Sequence, residues 1–160
     1  MLIGVVSDTH NNLRNVERIV ALFNDAGVER VVHTGDITQA KTLDVLRHLD
    51  APLHGVFGNN DERRPLAETA TRWGIALAEP PLELHWAGRR IVVVHDPLDF
   101  RHALRDEHDV ALHGHTHRRT VERCGERLTF NPGESAGHLQ GHNAVGLLDL
   151  RTLDVELRTF

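Results

Sequence analysis

The sequence holds no tyrosine and a single cysteine, Cys124, in 160 residues. One cysteine excludes an internal disulfide, and with no thiolate pair a sulfur-based cluster is also excluded; a reducing, cytoplasmic location is the expectation. No apolar run approaches the length needed to cross a bilayer, so no membrane partner is expected. The opening Met1-Leu2-Ile3-Gly4-Val5-Val6 has no basic region before it and Asp8 interrupts it, which reads as a buried strand and not a secretion signal. Positive charge is in deficit. The formal net charge of -5 gives no broad footprint for DNA or RNA, and no sequence-specific nucleic acid is expected. A small phosphate substrate stays open, because bound divalent ions would reverse the local sign. Linkers, repeats and low-complexity tracts are also missing, and 160 residues fit one domain over 1–160.

Histidine, by contrast, is abundant, with thirteen residues. Imidazole is the commonest metal ligand. Eight of these, including His33, His108 and His138, show no ligand spacing. Four others, His10, His95, His115 and His117, belong to a series of short motifs: Asp8-Thr9-His10, Gly35-Asp36, Gly58-Asn59-Asn60-Asp61, His95 and Gly114-His115-Thr116-His117. They offer seven oxygen or imidazole ligands: Asp8, His10, Asp36, Asn59, His95, His115 and His117. Seven is too many for one tetrahedral ion and suits two ions sharing a carboxylate.

Hydrophobic patterning places these motifs. Residues 2–6, 28–33 and 53–57 read as strands, and 12–26, 39–49 and 65–73 as helices. Gly27 is the expected C′ residue of the first helix. This alternation implies a parallel sheet with right-handed crossovers. Further on, 82–86 with 90–95, 120–123 with 127–130, and 144–150 with 155–159 read as hairpins, with a strand at 110–113 and a short helix near 99–107. One sheet is thus expected to be mostly parallel and a second mostly antiparallel, packed as a sandwich with helices outside. Trp73 and Trp86 are expected in the core.

Every candidate ligand lies at a strand's exit, where ligands gather in open α/β sheets. In Asp8-x-His10 and His115-x-His117, an extended backbone would point both outer side chains the same way. Singly, Asp8 reads as well as an N-cap, and Asp36 or Asn59 as a turn residue; the ordered set is what points to metal. Mixed carboxylate, amide and imidazole ligands favour Mn, Fe, Ni, Co or Zn over copper(I).

These motifs, complete and in order from residue 8 to residue 117, resemble those of the calcineurin-like metallophosphoesterases, in particular the small single-domain phosphodiesterases of bacteria and archaea. Asn131-Pro132-Gly133 resembles a further turn of that branch, with Glu134 where Ser is usual. The resemblance implies an α/β fold, a four-layer αββα sandwich of two mixed β-sheets flanked by helices. It assigns Asp8, His10, Asp36 and His117 to one divalent ion and Asp36, Asn59, His95 and His115 to the other, with Asp36 bridging and Mn2+ the favoured metal. It implies hydrolysis of a small phosphodiester by a water or hydroxide bridging the ions, with Asp36, His10 and Asn60 as catalytic residues. Many larger members have His where Asn60 stands; Asn can bind a phosphoryl oxygen but is no general acid at neutral pH. Asp61 and Asp96 are the candidate carboxylates behind the ligands, Asp61 the better of the two, since Asp96 reads better as a loop cap before Pro97.

Two alternatives have other discriminators. A non-catalytic interaction scaffold, as in a retromer subunit that resembles this fold, would have an impaired ligand set, whereas all seven positions are filled here. A weak nuclease would need a basic surface. Pairing of exposed strands across a two-fold axis leaves a homo-oligomer open.

Overall fold

The computed structural model describes all 160 residues. Strand β1, Leu2–Val6, is a continuous apolar run covered on both faces, and it lies inside a six-stranded sheet. Strands β2, Arg30–His33, β3, Leu53–Val56, and β4, Ala76–Ala78, follow beside it, each parallel to its neighbour. The crossovers are helices α1, Leu13–Ala26, α2, Ala40–Leu46, and α3, Arg63–Trp73. Asn12 caps α1 by accepting from the Asn15 N–H, and Gly27 closes it in the left-handed conformation, as its position predicts. Val16, Ile19 and Phe23 of α1, Leu43 and Leu46 of α2, and Leu66 and Ala70 of α3 pack on one face of this sheet.

The second half of the chain forms strands β5, Leu82–Trp86, β6, Arg89–Val93, β7, Val110–Leu112, β8, Thr120–Cys124, and β9, Arg127–Asn131. They make a five-stranded sheet in the order β5-β6-β7-β9-β8. The expectation of a mostly antiparallel second sheet is corrected here. Its centre, β6-β7-β9, is parallel, and only the edge pairs β5-β6 and β8-β9 are antiparallel. The last hairpin, β10, Ala144–Asp149, with β11, Asp154–Thr159, joins the first sheet through antiparallel pairing of β10 with β1. Both sheets are therefore mixed.

Ile3, Val5, Val32 and Val56 of the first sheet meet Ile91, Val93, Val110, Leu112, Leu128 and Phe130 of the second in an apolar interface between the sheets. The outer face of the second sheet carries a thin layer: one 3-10 turn, Pro97–Asp99, and helix α4, Phe100–Ala103, over Val92, Val94 and Ala111. The result is the four-layer αββα sandwich. Helix α4 stops earlier than the expected 107, because Leu104 is extended and His108 Nδ1 accepts the Arg105 N–H, turning the chain. Trp86 packs against the sheet interface, but Trp73 is exposed, with the Arg47 guanidinium 4.2 Å from its ring and its indole N–H on Asp44. No helix is long and apolar enough to cross a membrane.

Candidate metal centre

The exits of β1, β2, β3, β6 and β7 converge, and they bring together all seven candidate ligands. Backbone hydrogen bonds stitch the loops to one another: the Asp8 N–H donates to Gly35 O, the His10 N–H to Asp36 O, and the Gly114 N–H to His95 O. Asp8, His10, Asp36, His115 and His117 all have φ between 42° and 64°. Side-chain-bearing residues adopt that region rarely, and such a cluster marks backbone strain held by the surroundings. The outer residues of Asp8-x-His10 and His115-x-His117 are thus left-handed and not extended, so strand alternation is not what aims their side chains.

The candidate ligand atoms face one another, and two of them, Asp8 Oδ1 and His10 Nε2, are buried without a hydrogen-bond partner. Asp8 is fully buried; its Oδ2 accepts from the Ser7 hydroxyl and the His115 N–H, while Oδ1 has no hydrogen-bond partner. His10 Nε2, also without a partner, lies 3.8 Å from Asp8 Oδ1 and 3.4 Å from Asp36 Oδ2. His117 Nε2 is 3.4 Å from Asp8 Oδ1. On the other side, His95 Nε2 is 3.4 Å from Asp36 Oδ2 and 3.0 Å from Asn59 Oδ1, and His115 Nδ1 is 3.0 Å from the same Asn59 oxygen. Ligands about 2.1 Å from a common ion stand about 3 Å apart at right angles, so these spacings suit cations between them.

His95 makes the clearest test of fit. Its Nδ1–H donates to the Thr34 carbonyl, 2.9 Å away, so a neutral ring carries a bare lone pair on Nε2. That lone pair faces two oxygens, which is repulsive unless a cation lies between. Without one, the ring draws a proton: burial pushes the His95 pKa down, but Asp36 outweighs it and the net shift is upward. The His10 pKa is raised as well, chiefly by Asp8. Burial raises the Asp36 carboxyl, yet His95 and two hydrogen bonds from Asn60 hold it well below the usual carboxylate range. An anionic, lone-pair-rich cleft with orphaned buried atoms fits divalent metal.

The neighbouring residues have specific tasks. The Asn60 N–H and side-chain amide donate to the two oxygens of Asp36 at 2.9 and 2.8 Å, a contact within the site where the sequence pointed to a substrate phosphate. Asp61 accepts from the Thr38 and Gly58 N–H groups, so it braces the ligand loops through their backbone. Asp96 caps the 3-10 turn through the Leu98 N–H, 2.8 Å, while its other oxygen lies 3.9 Å from His115 Nε2. Two residues went unrecognised in the sequence as neighbours of the ligands. Glu134 and His138 sit against His117, and only their spacing of four after the Asn131-Pro132-Gly133 turn hinted at it.

His33, fully buried behind the site, yields a test of stability. Its Nδ1 accepts the Gly35 N–H and its Nε2–H donates to Thr9 Oγ1, so protonation would set two donors against each other. Burial lowers its pKa to about 4. Between that value and the unfolded value near 6.5 the unfolded chain binds more protons, so stability falls as pH drops through this window, by roughly 3 kcal/mol for this group. Denaturant titrations at pH 7 and pH 4.5 are expected to show a shallower pH slope in His33→Gln than in the parent; equal slopes would mean that the fold tolerates a charged His33.

The calcineurin-like phosphoesterase superfamily domain model matches residues 1–153. Phosphodiesterase MJ0936 of Methanocaldococcus jannaschii is 34% identical over 158 residues, covering 93% of each chain. The structure of an archaeal phosphodiesterase superposes with a TM-score of 0.91 at 30% identity over the whole of both chains. Vps29 of Chaetomium thermophilum shares the fold, with a TM-score of 0.71 at 18% identity, covering 100% of this chain and 97% of its own. With that model matched along nearly its whole length, the chain belongs to the calcineurin-like phosphoesterase superfamily.

Proposed function

We propose that the protein is a phosphodiesterase that works with two divalent ions, manganese foremost. Asp8, His10, Asp36 and His117 would hold one ion, and Asp36, Asn59, His95 and His115 the other. The observation that carries this is the set of inward-facing lone pairs, above all the His95 Nε2 atom set against Asp36 and Asn59 oxygens. When bound, such a pair supplies an activated water at neutral pH and neutralises charge developing on the phosphoryl group. The chain's own residues set the geometry. Thr34 fixes the His95 tautomer, Asn60 orients both Asp36 oxygens, and Ser7 with the His115 N–H pins Asp8 so that its second oxygen faces inward. The diester preference rests on the named relatives, and the filled ligand set favours hydrolysis over a scaffold role.

A cavity of about 200 Å³ adjoins the second ligand group, lined by Phe57, Asn59, Arg63, Asp96, Asp99 and His115 among others. It is open, which suits small diesters and loose selection among them. Because Asn60 stands where a histidine acid would serve and is engaged with Asp36, the leaving oxygen departs without proton donation from that position. Rates are therefore expected to depend steeply on leaving-group acidity, with aryl diesters cleaved far faster than alkyl ones. A phosphoester panel assayed on metal-stripped protein with Mn2+, Zn2+, Ni2+, Co2+ and Fe2+ restored in turn tests both points. Hydrolysis independent of metal would refute the proposal, and a flat leaving-group series would refute the role given to Asn60.

A further inference from the structure

Glu134 is a fully buried carboxylate immediately after the turn that follows β9. Its Oε1 accepts the Leu139 N–H at 2.7 Å. Its Oε2 faces two imidazoles, lying 3.2 Å from His117 Nδ1 and 3.4 Å from His138 Nδ1. The His138 ring stacks on that of His117, 12° from parallel with centroids 5.5 Å apart, and is more than half exposed at the rim. A carboxylate is costly to bury unless its oxygens find partners, and these contacts supply them and hold the side chain in place.

Resting on the two-ion reading above, we propose that Glu134 is a positioning residue for the ion held by Asp8, His10, Asp36 and His117. A carboxylate oxygen accepts, and with Glu134 Oε2 3.2 Å from His117 Nδ1 the proton of a neutral ring sits on Nδ1. Nε2 is then bare, and it is this atom that lies 3.4 Å from Asp8 Oδ1. Glu134 thereby fixes both the tautomer and the ring orientation of one ligand. His95 receives the same service from a backbone carbonyl, Thr34 O, which is uncharged. His95 and His117 thus differ in how they are held: the first by a fixed peptide oxygen, the second by a side chain that can be replaced. The Leu139 contact adds a mechanical tie, because it fastens segment 137–142 to the same carboxylate.

The test measures metal binding and tautomer, not turnover. Metal-free protein is titrated with Mn2+ by calorimetry for the parent, Glu134→Gln and Glu134→Ala, and the histidine nitrogens of each are followed by 15N NMR without metal. The parent is expected to bind two ions. Glu134→Ala is expected to weaken one of them by about 10–100-fold and leave the other little changed, which also reports an intact fold. Glu134→Gln keeps an amide oxygen as acceptor and is expected to recover part of the loss. The His117 signal should move from the Nδ1–H form toward a mixture in Glu134→Ala. Unchanged affinities, an unchanged tautomer, or equal weakening of both ions by the isosteric Gln would overturn the proposal. So would a third ion in the parent that Glu134→Ala alone removes, since Glu134, His117 and His138 would then form a separate cation site. If the parent binds no metal, the two-ion reading fails, while the NMR tautomer still decides the role of Glu134.

Discussion

Asp36→Asn is expected to lower metal-dependent diester hydrolysis by at least about 10³-fold while the fold survives. The substitution is isosteric, and Asp36 is almost entirely buried, so side-chain volume is conserved where packing is tight. What changes is the sign of one donor atom. Both oxygens of Asp36 accept from Asn60, and Oδ2 in addition stands 3.4 Å from His10 Nε2 and from His95 Nε2. An amide nitrogen on either side either confronts the Asn60 donors or points its hydrogens at the place a cation would take. A full negative charge is also lost from the centre of the cleft, and with it the attraction for two dications. The measurement pairs metal content by mass spectrometry with kcat/KM on an aryl phosphodiester. Full activity with both ions retained would show that Asp36 does not bridge them. Loss of activity with the melting temperature unchanged would locate the defect in metal binding.

That expectation was legible in the sequence because each candidate ligand follows an apolar run, and strand exits are where open sheets gather ligands. The parallel half was equally legible: β1, β2 and β3 are short apolar strands separated by amphipathic helices with identifiable ends, as Asn12 and Gly27 show for α1. The second sheet was not. Periodicity reports which faces of a strand are covered, and it is silent on which strand lies beside it. The β10 run Ala144-Val145-Gly146-Leu147-Leu148 is buried on both faces because it pairs with β1 inside the first sheet, more than 130 residues away in sequence. Strand β7 has three residues and gains its place from parallel neighbours β6 and β9, with no local mark of direction. The left-handed backbone at Asp8, His10, Asp36, His115 and His117 was hidden for a different reason: it is imposed by hydrogen bonds between loops that only meet in the fold. Glu134 and His138 likewise become neighbours of a ligand only when β7 and β9 lie side by side.

Gly58→Ala is expected to cost roughly 1–3 kcal/mol or more of stability and to abolish binding of the ion pair. Gly58 has an ordinary φ, so the loss is steric and not conformational. A Cβ at this position would overlap Asp36 Oδ1 and the Asp36 backbone nitrogen, and backbone cannot swing aside as a flexible side-chain tip does. The Gly58 N–H also donates to Asp61 Oδ2 at 2.7 Å, which locks the loop from the other side. The strain must therefore be relieved by displacing the Asp36 loop, and with it the carboxylate shared by both ligand groups. Gly27→Ala is the contrasting case. Its φ of 64° is left-handed, but nothing lies within 4 Å of the added carbon. It should cost about 1–2 kcal/mol from backbone strain and leave metal affinity at the parent value. Thermal melts with Mn2+ calorimetry on both variants separate the two mechanisms. If the Ala at 58 loses stability yet keeps both ions at parental affinity, the close approach of Gly58 to Asp36 serves packing alone. If affinity falls only in that variant and not in Gly27→Ala, which is also strained, the missing side chain at 58 is what lets the β2 and β3 exits come together around the metal centre.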